Sequence, residues 1–348
     1  MTLLYGEVEE ELRAAVRGLL ADRCPPASVL KRVESDPYDP DLWKTLAGEI
    51  GVAGLLIPEQ YGGAGATASE AGVVLEELGR GVAPVPFLTS AVLATRALVA
   101  AEAGELLAGL AEGRTTAALA VSFAASPYAP WRGSSVSVDG GTLSGGVSGV
   151  AGADVADVLV VPVGGELYEV EGASVEVVPS LDLTRPVANV TFTGASARLL
   201  GPCDLAEVLR HGAGLLASEQ LGVAEWCLET TLAYVKERHQ FARPVGSFQA
   251  IKHRLADLWL DVVRAKAAAR AAVADADAVT VAVAQSWNAG VAVHAAEEAL
   301  QLHGGIGMTW EHPVHLYLKR AKASEMAFGT PGDHREALAS LADLPGPA

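Results

Sequence analysis

A short basic stretch is the first place in this sequence where chemistry could reside. Residues 235–249 read VKERHQFARPVGSFQ, and Lys252 and Arg254 follow, although the 348-residue chain carries a formal net charge of −17. Basic residues on an amphipathic helix usually form a solvated face that binds nothing. Here the cations gather where a helix gives way to a turn that contains Pro and Gly. The alternative interpretation is therefore a site for an anion, most simply a phosphate.

A second cluster, rich in glycine, follows at residues 301–307, which read QLHGGIG. Gln301 projects an amide one turn before Gly304 and Gly305, and these glycines can end a helix and let a ligand approach bare backbone. Taken alone, such a pair is more often a helix C-cap than a binding element. The cluster points to a ligand only in combination with the basic stretch.

The composition limits the classes of function. Half of the residues are hydrophobic and 5% are aromatic, which is typical of a well-packed globular protein. The negative balance argues against binding to nucleic acid, which requires distributed positive charge. Apolar runs are interrupted before membrane-spanning length and no leader-like segment opens the chain, so we expect no membrane insertion.

The three cysteines, Cys24, Cys203 and Cys227, bear on the compartment. They show no paired spacing, which predicts neither a disulfide framework nor a metal site. Unpaired cysteines of this kind are typical of a reducing compartment. We therefore expect a cytoplasmic protein without a metal ion.

The elements that must position the two segments change character twice along the chain. Helical periodicity runs from Leu3 to about Glu112 and is interrupted at 54–66 by Pro58 and the Gly62-Gly63 pair. Short alternating strands with Gly-rich turns extend to about Leu200 and favour an antiparallel sandwich or barrel without a parallel crossover. From Asp204 the pattern is helical again, and long amphipathic helices of this kind usually form a bundle.

We therefore predict a mostly α protein of the α+β class, in three domains. An N-terminal helical domain covers residues 1–113, and a middle antiparallel β-barrel-like domain covers 114–202. A C-terminal four-helix bundle covers 203–348 and contains both the basic stretch and the glycine cluster.

In this order the motifs resemble the acyl-CoA dehydrogenase family over nearly the whole chain. The segments LLIPEQYGGAGA (55–66) and LEELGRGVAPVPF (75–87) are similar to the family's N-terminal helical domain. The segment RHQF with FQAIKHRLADL (238–258), and the segment 301–307, are similar to its two flavin-binding C-terminal segments. The resemblance implies an FAD-dependent enzyme that forms a 2,3-double bond in an acyl-CoA. A carboxylate removes the α proton, the β hydride passes to the flavin, and the electrons continue to an acceptor such as an electron-transfer flavoprotein.

The resemblance also shows where a catalytic base should stand. The family's usual base is the Glu of a Tyr-Glu-Gly-Thr motif, where this chain has Ala-Phe-Gly-Thr with Phe328 at the position of the Glu. The alternative family position falls on Gly212 in an ungapped alignment. Neither residue can accept a proton, so we predict that this chain carries no base. Glu219, farther along the same helix, is retained as an alternative, displaced base.

The flavin contacts of the resemblance fall into two sets. The loop SFAASPYAPWRG (122–133) and residues 147–149 match middle-domain segments that hold a subunit's own FAD, but they lack the family's polar groups and its tryptophan. The other set, which in the family reaches across a dimer interface to a neighbour's FAD, is retained. A guanidinium suits the FAD pyrophosphate because its fork gives two charge-assisted hydrogen bonds. The retained residues are Arg238, Phe241, Gln249, Gln301, Gly304 and Gly305.

This pattern resembles the partner subunit of the α2β2 acyl-CoA dehydrogenases of actinobacterial steroid degradation, as do the short C-terminus and the FGTPGDHR stretch (328–335). We therefore expect a subunit that completes the FAD site of a homologous subunit acting on a bulky, steroid-type acyl-CoA. The alternatives are a self-sufficient homotetramer that uses Glu219 and a flavin-free scaffold. We interpret His303 and Trp310 as core or interface residues.

Overall fold

The N-terminal region of the structure, a computed structural model that describes residues 3–343, consists of six short helices. The outer ends of the first and third predicted domains, residues 1–2 and 344–348, lie outside the described residues. The predicted interruption at 54–66 is confirmed, because only single 3-10 turns occur between residue 51 and the next helix. The helices are α1 (Glu7–Arg23), α2 (Pro26–Arg32), α3 (Pro40–Lys44), α4 (Ala68–Gly81), α5 (Thr95–Ala100) and α6 (Gly104–Ala111), with π-helical turns at Thr45–Glu49 and Phe87–Ala94.

Local sequence signals explain where α4 begins and how it packs. Thr67 and Glu70 form a capping box, in which the side chain of each residue accepts a hydrogen bond from the backbone N–H of the other. Farther along, α4 approaches the long helix α7 (Leu205–Glu237) backbone to backbone. A Cβ added at Gly222 would lie 1.9 Å from the Glu76 carbonyl oxygen. Only glycine permits this approach, which joins the first and third regions in one hydrophobic core.

The middle region is a seven-stranded sheet with its own smaller core. The strands run in the order β1-β4-β5-β7-β3-β2, and β6 pairs with the long strand β7, which has neighbours on both of its edges. Predicted short strands are thus present throughout this region. Their bounds are β1 (Ala117–Leu119), β2 (Ser137–Asp139), β3 (Thr142–Ala151), β4 (Val158–Val163), β5 (Glu166–Glu171), β6 (Ser174–Val178) and β7 (Val187–Pro202).

One pairing in the sheet differs from the antiparallel prediction. Strand β1 runs parallel to β4, with Ala117 opposite Val158, so the sheet is mixed. The sequence contains no crossover helix between these strands, but the loop after β1 and the β2–β3 hairpin provide a connection of sufficient length. A parallel pair requires a long crossover and not necessarily a helical one.

The C-terminal region is the predicted helix bundle. The long helices α7, α8 (Gln249–Asp275) and α9 (Ala278–His303) pack on one another, and α10 (Val314–Glu325) contacts both α7 and α9. Helix α11 (Pro331–Leu341) packs on α9. A small hairpin, β8 (His239–Gln240) with β9 (Arg243–Pro244), joins α7 to α8.

Two classes of feature are missing from the part of the chain that the structure describes. Within residues 3–343 no helix combines the length and apolar character needed to cross a bilayer. The same residues contain no group of His, Cys, Asp and Glu side chains arranged to hold a metal ion.

Candidate functional site

The two positions at which the family places its base come together in space. A Cβ added at Gly212 would lie 3.6 Å from Cε2 of Phe328, although the two residues are far apart in sequence. It would also lie 2.5 Å from Cδ2 of Leu93, so no larger side chain fits at Gly212 without a shift. Phe328 itself is fully buried. The alignment therefore identifies one place in the fold, and hydrocarbon fills it.

The altered middle-domain loop closes this place from the other side. The ring of Phe123 packs edge-on against Phe328, with 5.2 Å between centroids. The Phe328 N–H donates to the Phe123 carbonyl oxygen at 3.1 Å. Farther along the same loop, the Tyr128 hydroxyl is hydrogen-bonded to Nδ1 of His334 at 3.1 Å. We call Leu93, Phe123, Gly212 and Phe328 the apolar cluster.

Glu219, the alternative base, lies in a buried ion-pair cluster. Its carboxylate accepts two hydrogen bonds from the Arg185 guanidinium, one of them at 3.0 Å, and Arg320 lies 3.4 Å away. Burial alone would raise the pKa of Glu219, but Arg185 and Arg320 outweigh it and hold that pKa below its usual value. A carboxylate that is enclosed and held ionised by two arginines is a poor proton acceptor for a substrate.

The same cluster fixes the middle region to the bundle. Arg320 on α10 donates to Asp182 and to Thr184 in the segment between β6 and β7. Burial would raise the pKa of Asp182, but Arg320 and Arg185 lower it below its usual value. Glu219 on α7 completes the group. The structure thus gives Glu219 a positional role between three elements.

The retained flavin segments lie together at one end of the bundle. The ring of Tyr234, near the end of α7, stacks on His303 at the end of α9 with 4.5 Å between centroids. At the start of α8, Arg254 pairs with Glu298 of α9 at 2.7 Å. All six predicted flavin-contacting residues are exposed there on the monomer surface. They are Arg238, Phe241, Gln249, Gln301, Gly304 and Gly305. We call the end of the bundle where they lie the flavin end.

Some cations and glycines at this end are engaged within the chain, and others are not. Arg254 is accounted for by Glu298, but the Arg238 guanidinium has no partner among residues 3–343. Gly304 has φ +63° and ψ −139°, a conformation that requires glycine in any case. Gly305 has nothing within 4 Å of an added Cβ, so its backbone faces open space. An unpaired guanidinium and bare backbone are therefore available to a ligand.

Two domain models of known proteins match this chain. The N-terminal domain model of acyl-CoA dehydrogenases matches residues 6–105, and the C-terminal domain model matches residues 204–341. The chain belongs to the acyl-CoA dehydrogenase family. The acyl-CoA dehydrogenase IpdE2 of Mycolicibacterium smegmatis is 37% identical over 96% of this chain and 98% of its own length.

Two solved structures are similar over nearly the whole chain. A variant of the steroid ACAD Tcur3481-Tcur3483 matches with a TM-score of 0.83 and 31% identity, over 98% of this chain and 99% of the other. The ChsE4-ChsE5 complex of Mycobacterium tuberculosis matches with a TM-score of 0.87 and 28% identity, over 99% and 100%. The predicted fold class and family are thus confirmed.

FAD is the cofactor of this family. In this chain the two halves of the FAD site differ in how well their residues fit the cofactor. The bundle end fits, because the Arg238 guanidinium and Gly305 backbone are exposed and unengaged. The chain's own middle-domain half does not fit. Loop 122–133 packs directly on the segment around Phe328, with aromatic rings in contact.

Two exposed residues at the flavin end were not among the predicted flavin-contacting residues. The register of the hairpin places Gln240 opposite Arg243, and both are exposed. The signal that could have found them is the pair of residues between β8 and β9, which is the length of a tight hairpin turn. Of the two residues interpreted as core or interface, His303 is buried, whereas Trp310 is 67% exposed under the ammonium of Lys319. Trp310 therefore stays a candidate interface residue.

Proposed function

We propose that this chain is the base-free subunit of a heteromeric FAD-dependent acyl-CoA dehydrogenase. It completes the FAD site of a homologous subunit, in an α2β2 assembly that forms a 2,3-enoyl-CoA from a bulky, steroid-type acyl-CoA. The proposal is supported by similarity to the Tcur3481-Tcur3483 steroid ACAD and to the ChsE4-ChsE5 complex. Its electron acceptor is an electron-transfer flavoprotein or a similar carrier, as the family leads one to expect.

The observation that carries the proposal is the apolar cluster. Both positions from which the family extends a base converge there, and neither carries a carboxylate. The nearest alternative, Glu219, is occupied by Arg185 and Arg320. Abstraction of the α proton requires a base within hydrogen-bond reach of that carbon. The base must accordingly come from the partner.

The work left to this chain is binding and orientation. Arg238 binds the pyrophosphate, Gln249 and Gln301 offer amide groups, and the backbone at Gly304 and Gly305 admits close approach. When bound, FAD supplies the hydride acceptor of the reaction. By holding the phosphate end from across the interface, these residues fix the depth and direction at which the ring system enters the partner's pocket.

A second surface supports assembly. The outer faces of α8 and α9 expose large apolar side chains, among them Trp259, Leu260 and Trp287. Contiguous exposed apolar residues of this size usually mark a protein interface. The occupant that we propose is another subunit of the assembly, since the same bundle carries the flavin end.

The three cysteines are buried free thiols, which supports the cytoplasm as the compartment.

Co-expression with the homologous partner tests the proposal. The chain would be purified alone and with the partner, and flavin absorbance per chain and native mass would be measured for both. We expect little flavin in the chain purified alone and stoichiometric flavin in a heteromer. Full flavin occupancy and acyl-CoA oxidation by the chain alone would favour the homotetramer. A heteromer whose flavin content is unchanged by Arg238→Ala in this chain would favour the scaffold.

A further inference from the structure

The hairpin between α7 and α8 places two unpaired arginines on one face. Gln240 pairs with Arg243 and His239 pairs with Pro244, and the Val245 N–H donates to the Arg238 carbonyl oxygen at 2.7 Å. The ladder therefore continues to the pair of Arg238 and Val245. Side chains alternate between the two faces of a strand, and directly paired residues share a face. Arg238, Gln240 and Arg243 consequently project to the same side.

On that side Arg238 and Arg243 occupy diagonal positions of the hairpin. Diagonal positions in an antiparallel pair lie roughly 7–8 Å apart, a distance that long side chains easily bridge. Neither arginine forms an ion pair with a carboxylate among residues 3–343. Other arginines of this acidic chain do so, for example Arg80 with Glu229 and Arg254 with Glu298. Two like charges on one face of the hairpin, without a carboxylate partner among residues 3–343, form an arrangement that an anion would stabilise.

Arg243 is held in place in a way that leaves its donors free. Its guanidinium carbon lies 3.9 Å over the ring centroid of Phe248. Stacking of this kind engages the flat face of the guanidinium and leaves its in-plane N–H groups free to donate. Phe248 is in turn contacted edge-on by Phe241, with 6.2 Å between centroids. The fork is thus oriented before any ligand arrives.

We infer that Arg243 is a second phosphate-binding residue, which together with Arg238 clamps the diphosphate of the FAD held by the partner subunit. The inference rests on the proposed function and adds a residue to its site. A diphosphate carries charge on two adjacent phosphoryl groups, and two forks on one face can each engage one of them. A single point charge at Arg238 would leave the second phosphoryl group without a charged partner.

The test measures FAD binding to the assembled complex after its flavin has been removed. Equilibrium titration followed by flavin fluorescence gives Kd for wild type and for Arg238→Ala, Arg243→Ala and Arg243→Lys. Loss of one charge-assisted contact weakens binding by roughly 10- to 100-fold. We expect a loss in this range for each alanine variant and a smaller loss for Arg243→Lys, which keeps the charge but not the fork.

A second readout separates phosphate binding from general charge. Inorganic pyrophosphate should compete with FAD in the wild-type complex and compete less well in Arg243→Ala. Riboflavin, which has no phosphate, should bind both complexes equally. Arg335→Ala is the matched control, because Arg335 is exposed on α11 and lies outside this face. It should bind FAD as the wild type does.

The outcomes distinguish this inference from the proposed function. If Arg238→Ala weakens FAD binding while Arg243→Ala binds as wild type, the second ligand is excluded and the proposed function stands. If neither variant changes Kd, the flavin end itself is excluded. A loss with Arg335→Ala as large as that with Arg243→Ala would also overturn the inference, since it would show an effect of net charge alone.

Discussion

Phe241 and Phe328 have the same side chain and nearly the same φ, yet opposite surroundings. Both lie in the left-handed region, with φ +55° and +54°, which is unfavourable for a residue that carries a Cβ. Phe328 is fully buried, and Phe241 is 87% exposed. Phe328 packs against Phe123, and burial of its ring offsets the cost of this conformation. On the monomer surface the Phe241 ring lies edge-on to Phe248, with 6.2 Å between centroids.

Under the proposed function, this difference is how one family fold would divide its work between two subunits. In the apolar cluster, the chain's own side chains occupy the place where chemistry happens in the family. At the flavin end, Phe241 is exposed, and Arg238 and Arg243 form no ion pair among residues 3–343. Phe241 and Ala242 both have positive φ, as a tight two-residue hairpin turn requires, so the strained backbone sets the hairpin that carries the two arginines. The first region has been closed and the second kept open.

The largest expected effect is on turnover, which should depend on the partner's carboxylate and not on Glu219 of this chain. In the assembled complex, Glu219→Gln should leave turnover per bound flavin nearly intact. Removal of the partner's carboxylate at the position that matches Phe328 or Gly212 should lower turnover by about 10² to 10⁴, the usual cost of losing a general base. Steady-state oxidation of an acyl-CoA substrate, normalised to flavin content, measures both.

The control for this comparison is Glu229→Gln. Glu229 lies on the same helix and pairs with Arg80 at the surface, so it has no access to the apolar cluster. Should Glu219→Gln abolish turnover while native mass, flavin content and the Glu229→Gln complex remain normal, this chain carries its own base and the division of labour is wrong.

The next effect concerns the stability of the buried ion-pair cluster. Arg320→Met leaves Asp182 and Glu219 with Arg185 alone, and breaking a buried pair typically costs 3–5 kcal/mol. Urea unfolding at neutral pH should show a loss of about this size. Arg198→Ala is the control, because Arg198 forms an exposed pair with Glu169 that is worth roughly 0–1 kcal/mol.

The pH dependence of that loss has a definite sign. In the wild type the pKa values of Asp182 and Glu219 are lowered, so their contribution to stability is present at neutral pH and is lost as the pH falls through about 4 and below. Without Arg320, burial raises these pKa values, and protonation relieves the uncompensated charge. The difference in unfolding free energy between variant and wild type should therefore shrink between pH 7 and pH 4. A constant difference would contradict the electrostatic explanation.

Much of the fold was predictable from this sequence, because the relevant signals are local. Periodicity and paired glycines predicted the helical regions and the loop at 54–66, whereas the flavin-contacting segments were predicted from the family resemblance and stay a prediction. The parallel pairing of β1 with β4 was not predictable, since it depends on which strands meet across an irregular connection. The meeting of Gly212 with Phe328 is likewise a long-range contact that only the folded chain reveals.

The role of Glu219 could not be read from its position in the sequence either. A glutamate in a helix gives no local sign of whether it faces a substrate or two arginines, and its partners Arg185 and Arg320 are distant in the chain. Arg243 shows the converse. It is close in sequence to Arg238, yet its place on the same face follows only from the register of the hairpin.

The two phenylalanines themselves provide the third prediction. Phe328→Ala should destabilise the chain by about 3–5 kcal/mol, because it empties a buried position in the apolar cluster. Phe241→Ala should change the free energy of unfolding by no more than about 0.5 kcal/mol, as for most exposed positions. Thermal and urea unfolding of the free chain measure both. A large loss with Phe241→Ala would show that the ring serves the monomer and not an interface.

The smallest expected effect tests the turn on which the flavin face depends. Ala242 has φ +60°, and a Cβ in this region costs about 1–2 kcal/mol, whereas glycine costs roughly 0.5–1 kcal/mol more than alanine in conformational entropy. Ala242→Gly should therefore stabilise the chain by up to about 1 kcal/mol in urea unfolding, a gain that matches the difference between these terms. Ala250→Gly, in the first turn of α8, should instead destabilise it by about 0.5–1 kcal/mol. If Ala242→Gly were destabilising like Ala250→Gly, the two-residue left-handed turn would not exist in solution. The register that places Arg238 and Arg243 on one face would then be lost with it.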